Sequence, residues 1–366
     1  MATVYYFTGF EGVANTEQLQ SLLSRTPTFD NPSLDFTHGY QDGQCMKISP
    51  IADFMYLWGG ARIDIPSHTS FPGGHAPVAV GFHVKDMVNT QTTFTPTKGC
   101  LVSFVGADYS TPIILIGNHP SGLIVYGYNT LGAWVSFHQA DRKISENLTW
   151  VEAKLDPTPE DCTLIVKING VTVIDEEFPT AAGGEITGVH FQAPIGNVGD
   201  YDPYYIDNVY IADDFTGEVC SILCHPSGDW AVEWELGGTG SEDSSAAYNC
   251  AMVDEVIQDD DESYVTSFTI GERDLYDFDD IEDEFDVVAV AMVTVARKYE
   301  AGYRALKHVS YYLSNEYELD NEYIVGADYP ATVQEAFMEV MPTAPDCTDW
   351  TAAKWNDTKV GFKISG

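Results

Sequence analysis

The sequence predicts an all-β protein, with a β-sandwich over residues 1–213 and a second, β-rich part over 214–366. Three observations lead there. Short β-branched and aromatic runs recur between Gly, Pro, Asn and Asp, with turn signals about every 8–12 residues. Asn169-Gly170 separates Leu164–Ile168 from Val171–Ile174, the pattern of a two-residue hairpin whose central residues need positive φ. Helical periodicity is found in only two places.

Val4–Phe10 reads as the first strand, and Asn15–Ser24 as a helix with Thr16 as cap and Leu19, Leu22 and Leu23 on one face. Gly39–Gly43 marks a turn before a strand at Gln44–Ile48. Val78–Val84 alternates, and Ile113–Ile116, Leu123–Tyr128 and Trp134–His138 come after it. Trp150–Leu155 precedes the Asn-Gly hairpin, and Tyr204–Ala212 closes the first part. In the second part, Leu236–Ser245 reads as a Gly/Ser/Asp loop, Val265–Ile270 as a strand and Asp277–Glu284 as a solvated acidic turn. Val287–Lys298 and Tyr303–Tyr312 flank Tyr299-Glu300-Ala301-Gly302 and are expected to pair as a long hairpin, with Gly302 at positive φ. Thr332–Met341 is expected to be a short helix, because Val333, Phe337 and Val340 recur at helical spacing between Pro330 and Pro342. There is no internal repeat and no heptad run of a fibre shaft.

Composition narrows the function. Acidic residues number 56 against 17 basic, a net charge of -39. Such a surface repels phosphate backbones and anionic lipid, so no nucleic-acid partner is expected. It suits solubility at high local concentration or binding of divalent cations. Residues 214–366 hold 33 acids against 8 bases and the first part 23 against 9, so the charge is densest in the second. The longest apolar stretch, Val287–Ala296, is half the length of a membrane span, and the first residues lack a secretory leader's pattern. A soluble protein without membrane insertion is expected.

The seven cysteines scatter through apparent strands, and Cys220 and Cys224 form a lone C-x₃-C without partner ligands at zinc spacing. They read as buried free thiols. Chemistry is equally sparse. A sandwich invites comparison with glycosidases, which need two carboxylates across one cleft. The candidates Glu152/Asp156, Asp175/Glu177 and Asp207 lie at a turn, at a strand end, or without an acidic neighbour on the same face, and read as surface acids. No nucleophile elbow, zinc-protease motif or phosphate loop is present. No enzyme activity is expected.

Two binding sites are nominated. In a sandwich the first and last strands of a domain commonly lie side by side, which would bring Glu11 and Asp207 to one rim beside the Gly43 carbonyl. That is a hard oxygen set of the kind Ca²⁺ prefers, so Ca²⁺ is the one cofactor expected. Trp58, near Gly59-Gly60, and Trp134 are the aromatic candidates for stacking on a glycan.

Phe7-Thr8-Gly9-Phe10-Glu11-Gly12 resembles the opening strand of tailed-phage virion proteins that carry a laminin-G-like, concanavalin-A-like jelly roll. Trp150-Val151-Glu152-Ala153-Lys154, Val166-Lys167-Ile168-Asn169-Gly170 and Tyr205-Ile206-Asp207-Asn208-Val209-Tyr210 continue that pattern in order. Phe215-Thr216-Gly217-Glu218-Val219 resembles the bridge to a second domain in such proteins, with Thr216 where Leu is usual. Met252-Val253-Asp254-Glu255, Ser263-Tyr264-Val265, Asp274-Leu275-Tyr276 and Ala296-Arg297-Lys298 through Ala301-Gly302-Tyr303-Arg304 extend it, so that it covers nearly the whole chain. The resemblance implies a jelly roll over 1–213, an assembly domain over 214–366 and a place in the virion as a fibre, tail or capsid-decorating protein. Its expected partners are further copies of itself, with a trimer preferred, and other virion proteins. The alternative from another class is an adhesin that binds host surface glycan.

Overall fold

Fourteen strands of the described residues between 4 and 212 form two antiparallel sheets. They are β1 (Val4–Thr8), β2 (Ser33–Asp35), β3 (Cys45–Ile48), β4 (Gly60–Asp64), β5 (Val78–Lys85), β6 (Cys100–Val105) and β7 (Pro112–His119). The chain continues through β8 (Gly122–Tyr128), β9 (Trp134–Gln139), β10 (Thr149–Pro157), β11 (Asp161–Ile168), β12 (Val171–Pro179), β13 (Gly188–Gln192) and β14 (Tyr204–Ala212). This is a computed structural model, which describes residues 2–10, 19, 23, 32–40, 44–49, 60–65, 76–86, 100–106, 112–119, 121–128, 134–145, 147–157, 161–179, 186–192, 203–238, 248–255, 262–298, 303–325 and 335–366.

One sheet runs β12-β11-β10-β5-β14-β3-β2 with β1 also paired to β14; the other runs β4-β13-β6-β7-β8-β9. They make a jelly-roll sandwich. Phe82 of β5 meets Phe191 of β13 edge to face at 5.0 Å, which fixes the inward faces of these two strands. Val80, Val84, Val151 and Ala153 line the inside of the first sheet. At one side Phe137 of β9 stacks on Phe178 of β12 at 5.2 Å. The edge strand β12 turns Asp175 and Glu177 to solvent, which discourages pairing with another chain. Asn169 and Gly170 take φ of 49° and 73°, as the hairpin requires. The first and last strands are neighbours, since Thr8 lies opposite Val209.

Gly81 lies between Glu152 of β10 and Tyr210 of β14 in one cross-strand row. A Cβ there would come within 2.1 Å of the Tyr210 ring. The absent side chain lets that ring cross the sheet. Gly81→Ala is therefore expected to destabilise the sandwich by about 1–3 kcal/mol, read as a lower urea midpoint.

Contacts group Ala2–Phe10 with Leu23–Ser221 as one compact unit and place Ile222–Gly366 in a second. The second unit contains β15 (Pro226–Val232), β16 (Glu235–Gly237), β17 (Tyr264–Thr266), β18 (Arg273–Phe278) and β19 (Val290–Ala296). It continues with β20 (Ala305–Tyr312), β21 (Asn315–Glu318), β22 (Tyr323–Ile324), β23 (Glu335–Met341), helix α1 (Ala352–Asp357) and β24 (Lys359–Ile364). Its main sheet runs β15-β18-β24-β20-β21, with β22 on β20, and β16–β17 and β19–β23 are separate pairs. Met292, Met341, Trp350, Trp355 and Val360 form its principal core.

Two expectations for this unit are corrected. β19 does not pair with β20: β20 gives one edge to β24 and the other to β21 and β22, so no edge remains, and β19 pairs with β23 instead. The segment expected to be a helix at Thr332–Met341 is strand β23 over Glu335–Met341, where Glu339 and Met341 are both buried two residues apart. A short apolar run fits either period, and pairing with β19 decides it. The strand at Val265–Ile270 is shorter, Tyr264–Thr266, and Leu236–Ser245 begins inside β16. Most of the expected helix at Asn15–Ser24 lies outside the described residues.

Candidate functional site

Of the nominated residues, Glu11, Gly43 and Trp58 lie outside the described residues. Trp134 begins β9, with its side chain undescribed. Asp207 is buried at a bulge in β14, where Asn208 takes a φ of 50° and the register against β5 shifts. Both of its oxygens are engaged: the Tyr40 N–H donates to Oδ2 at 2.6 Å and the Asn208 N–H to Oδ1 at 2.7 Å. Burial pushes its pKa up to about 6 against the pull of those two donors. Among the described residues no three His, Cys, Asp or Glu side chains converge as a metal group.

The segment after the last strand lies in the same region. Residues 213–221 run as a strap along the outer face of the first sheet, tied to it at each step. Asp213 exchanges bonds with Thr3, and Lys154 Nζ lies 2.9 Å from Asp214 Oδ1. Lys167 Nζ sits 3.8 Å from the Phe215 ring centroid. The Gly217 N–H and the Tyr210 hydroxyl both donate to Glu152 Oε1, at 3.0 and 2.7 Å. Asn208 Oδ1 accepts the Ser221 N–H at 2.7 Å and its hydroxyl at 3.0 Å. The Asn208 amide nitrogen therefore faces His83 Nδ1 at 3.2 Å, so that ring nitrogen accepts and Nε2–H donates to Glu218 at 3.1 Å. Burial lowers the His83 pKa, with Glu218 opposing, which favours this neutral ring. Trp150, edge-on to His83 at 4.7 Å, completes the floor.

Asp207, buried at the β14 bulge, is thus not the surface acid expected, and neither is Glu152. Glu152 sits mid-sheet beneath the strap, and its partners come from segments the local pattern does not connect. Asp156, Asp175 and Glu177 are exposed, as expected. Of the cysteines, Cys45, Cys162 and Cys250 are buried thiols, whereas Cys220 and Cys347 are exposed.

In the second unit Thr294 Oγ1, His308 and Glu339 form a series at 2.9 and 3.3 Å, and Asn321 donates twice to Glu339. The order is that of a nucleophile, base and orienting acid. However, His308 and Glu339 are buried where β19 and β23 face β20. Here the series ties two sheets together. A second buried hub is Asp274, which accepts the Glu233 and Trp234 N–H groups at 2.7 and 2.9 Å on Oδ1, and the Asn249 amide and Tyr276 hydroxyl at 2.7 and 2.8 Å on Oδ2.

The surface of this unit is different in kind. Gly271 N–H bonds Ile364, Ala305 N–H bonds Gly366, and Ala305 lies opposite Ile324, so four chain segments meet at one end of the main sheet. That end exposes Phe268 (64%), Ile270 (65%), Tyr303 (51%) and Ile324 (54%). On the sheet face, Trp230 of β15 is 51% exposed beside Tyr311. No sequence feature singles these residues out, because exposure is decided by neighbours.

No family model matches the sequence, and no curated protein matches it. Among solved structures, the chain is similar to the binding domain of Paraclostridial Mosquitocidal Protein 1, with 13% identity and a TM-score of 0.32, over 58% of this chain and 49% of that one. It is also similar to domain 4 of AbnA, an extracellular arabinanase from Geobacillus stearothermophilus, in complex with arabinotriose. There the identity is 13% and the TM-score 0.32, over 58% of this chain and 92% of that one. Caenorhabditis elegans galectin LEC-6 matches at 8% identity and a TM-score of 0.27, over 41% and 88%. The chain spans about half of the mosquitocidal protein's binding domain. Overlaps this shallow leave function to the chain's own residues.

Proposed function

We propose that this protein is a non-catalytic structural component of a tailed-phage particle, which self-associates through its second unit. The observation that carries the reading is the cluster of Phe268, Ile270, Tyr303 and Ile324 at one end of an otherwise acidic unit. Large apolar side chains gathered on a charged surface mark a contact with another protein. Repetition of one chain favours closed symmetry, here a trimer. The buried acids Glu152, Asp207 and Asp274 support a scaffold role, since each is used to hold backbone or neighbouring donors.

Sedimentation is expected to show an oligomer at micromolar concentration. The double change Phe268→Ser with Ile270→Ser should weaken it by at least about a hundredfold, from the burial of two large side chains. Mass spectrometry of purified particles should find the chain in many copies. A monomer at every concentration, absent from particles, would overturn the reading. The second reading, a glycan-binding adhesin, is favoured by one observation, the open Trp230 ring beside Tyr311 on a sheet face.

A further inference from the structure

Trp230 stands on β15, an edge strand of the main sheet. The strand bulges there, with Asp229 opposite Tyr276 and Ala231 opposite Leu275, so Trp230 has no partner in register across the pair. A bulge re-aims a side chain, and this one is open to solvent. Its ring lies 5.6 Å from the Tyr311 ring at a 40° tilt, and Lys359 Nζ lies 5.8 Å from its centroid. Lys359 is held by Asp277 at 2.6 Å.

The surroundings are charged but balanced. Arg273 pairs with Glu316 at 2.6 Å, Lys363 with Glu318 at 2.5 Å, and Lys307 with Glu318 at 3.7 Å. In register, Arg273 faces Lys363, Lys363 faces Lys307, and Lys359 faces Tyr311, so these groups share one sheet face. Half of the unit's eight basic residues are gathered here. The acidic coat gives way to a nearly neutral, hydrated face with an aromatic plate at its edge.

That combination selects a ligand class. A pyranose ring has a CH-rich face that stacks on an aromatic plate, and hydroxyls around its rim that bond to fixed donors and acceptors. The Lys359 ammonium and the Asp277 carboxylate supply one of each beside Trp230. A protein partner would favour a drained, apolar surround, which this chain presents at Phe268 and Ile270 instead. An anionic ligand would have to displace carboxylates that already hold all four cations. We propose that the Trp230–Tyr311 face binds a neutral hexose oligosaccharide, with Trp230 as the stacking plate and Lys359 and Asp277 reading the ring hydroxyls. This rests on the glycan-binding reading and gives it a site.

The test is isothermal titration of the full chain with maltohexaose, cellohexaose, chitohexaose, a β-galactotetraose and, as the anionic comparison, sialyllactose. At least one neutral member should bind. Trp230→Ala should weaken that binding about tenfold or more, and Asp277→Asn should weaken it too, both at an unchanged melting temperature. If Trp230→Ala lowers the melting temperature, Trp230→Phe, which keeps a smaller plate, should bind with intermediate affinity. The proposal is overturned if no neutral member binds, if sialyllactose binds best, or if Trp230→Ala binds as well as wild type. In the last case the glycan reading survives at another site and only this face is excluded. Sedimentation of the same variants keeps the assembly reading separate, since Trp230→Ala should leave the oligomer intact.

Discussion

Asp274→Ala is expected to cost the second unit about 3–5 kcal/mol, enough to leave it largely unfolded at 37 °C. The carboxylate is wholly buried and carries four donors from three segments: β18 itself, the Glu233-Trp234 corner and Asn249. Alanine removes every acceptor at once, and each stranded donor then bears its desolvation cost. Asp229 accepts the Asn249 and Cys250 N–H groups nearby, so the short 3-10 turn that starts there would keep only part of its anchoring. The raised pKa of the Tyr276 phenol, caused by burial and by Asp274, should fall towards its ordinary range in the variant. Urea unfolding followed by tryptophan fluorescence gives the measurement. A loss below about 1 kcal/mol would mean that water replaces the carboxylate freely.

The second large effect depends on pH. Burial holds Asp207 at a pKa of about 6, above its unfolded value of 3.8. The folded state therefore binds the proton more tightly than the unfolded state. Stability from this group falls as pH rises from about 4 to 6 and is recovered as pH falls through the same window. A shift of this size is worth about 3 kcal/mol between pH 7 and pH 3. Asp207→Asn abolishes the titration, whatever constant offset the amide introduces. The stability difference between the two proteins should thus move by about 3 kcal/mol in favour of wild type on acidification. His83 across the sheet, with Glu218 bonded to it, and Cys45, with Asp35 and Lys85 nearby, are the other titratable groups around the bulge; burial lowers the His83 pKa and raises that of the Cys45 thiol, so it favours the neutral form of both. A difference that is flat with pH would show that the carboxylate is better solvated than its burial implies.

Much of the sandwich is written locally. Tyr204–Ala212 reads as a strand because it is apolar nearly throughout, and all nine residues are buried. The Asn169-Gly170 turn is legible because its backbone conformation admits few residues. Cys100–Val105 and Gly188–Gln192 do not alternate, and short apolar runs of this kind fit a buried strand or a buried helix until their pairing with each other decides it. A turn signal reports where a chain can reverse, not which edge is vacant, and so it misleads about pairing in the second unit. The site is harder to read. Gly81 inside an apolar strand is a sequence sign of close approach, yet it does not say that Tyr210 crosses there to reach Glu152. Trp230 is one of seven tryptophans, and only the bulge in β15 separates it from those in the core.

The strap over the first sheet also sets how a pull would travel. Tension applied at Ile222 meets Ser221 and Asn208 first, then Glu218 and His83, then Gly217 and Glu152, and Asp214 and Lys154 last. These links lie in sequence along the strap, so they would break one at a time, as in a zipper, at modest force. Each rupture releases only a few residues of chain. The sandwich beneath would keep its strands in place while the strap lengthened. A segment held in this way would absorb a pull as added length before the sandwich itself is loaded. It would re-form from the Asp214 end once the load is removed, because β14 still holds that end in register with β1.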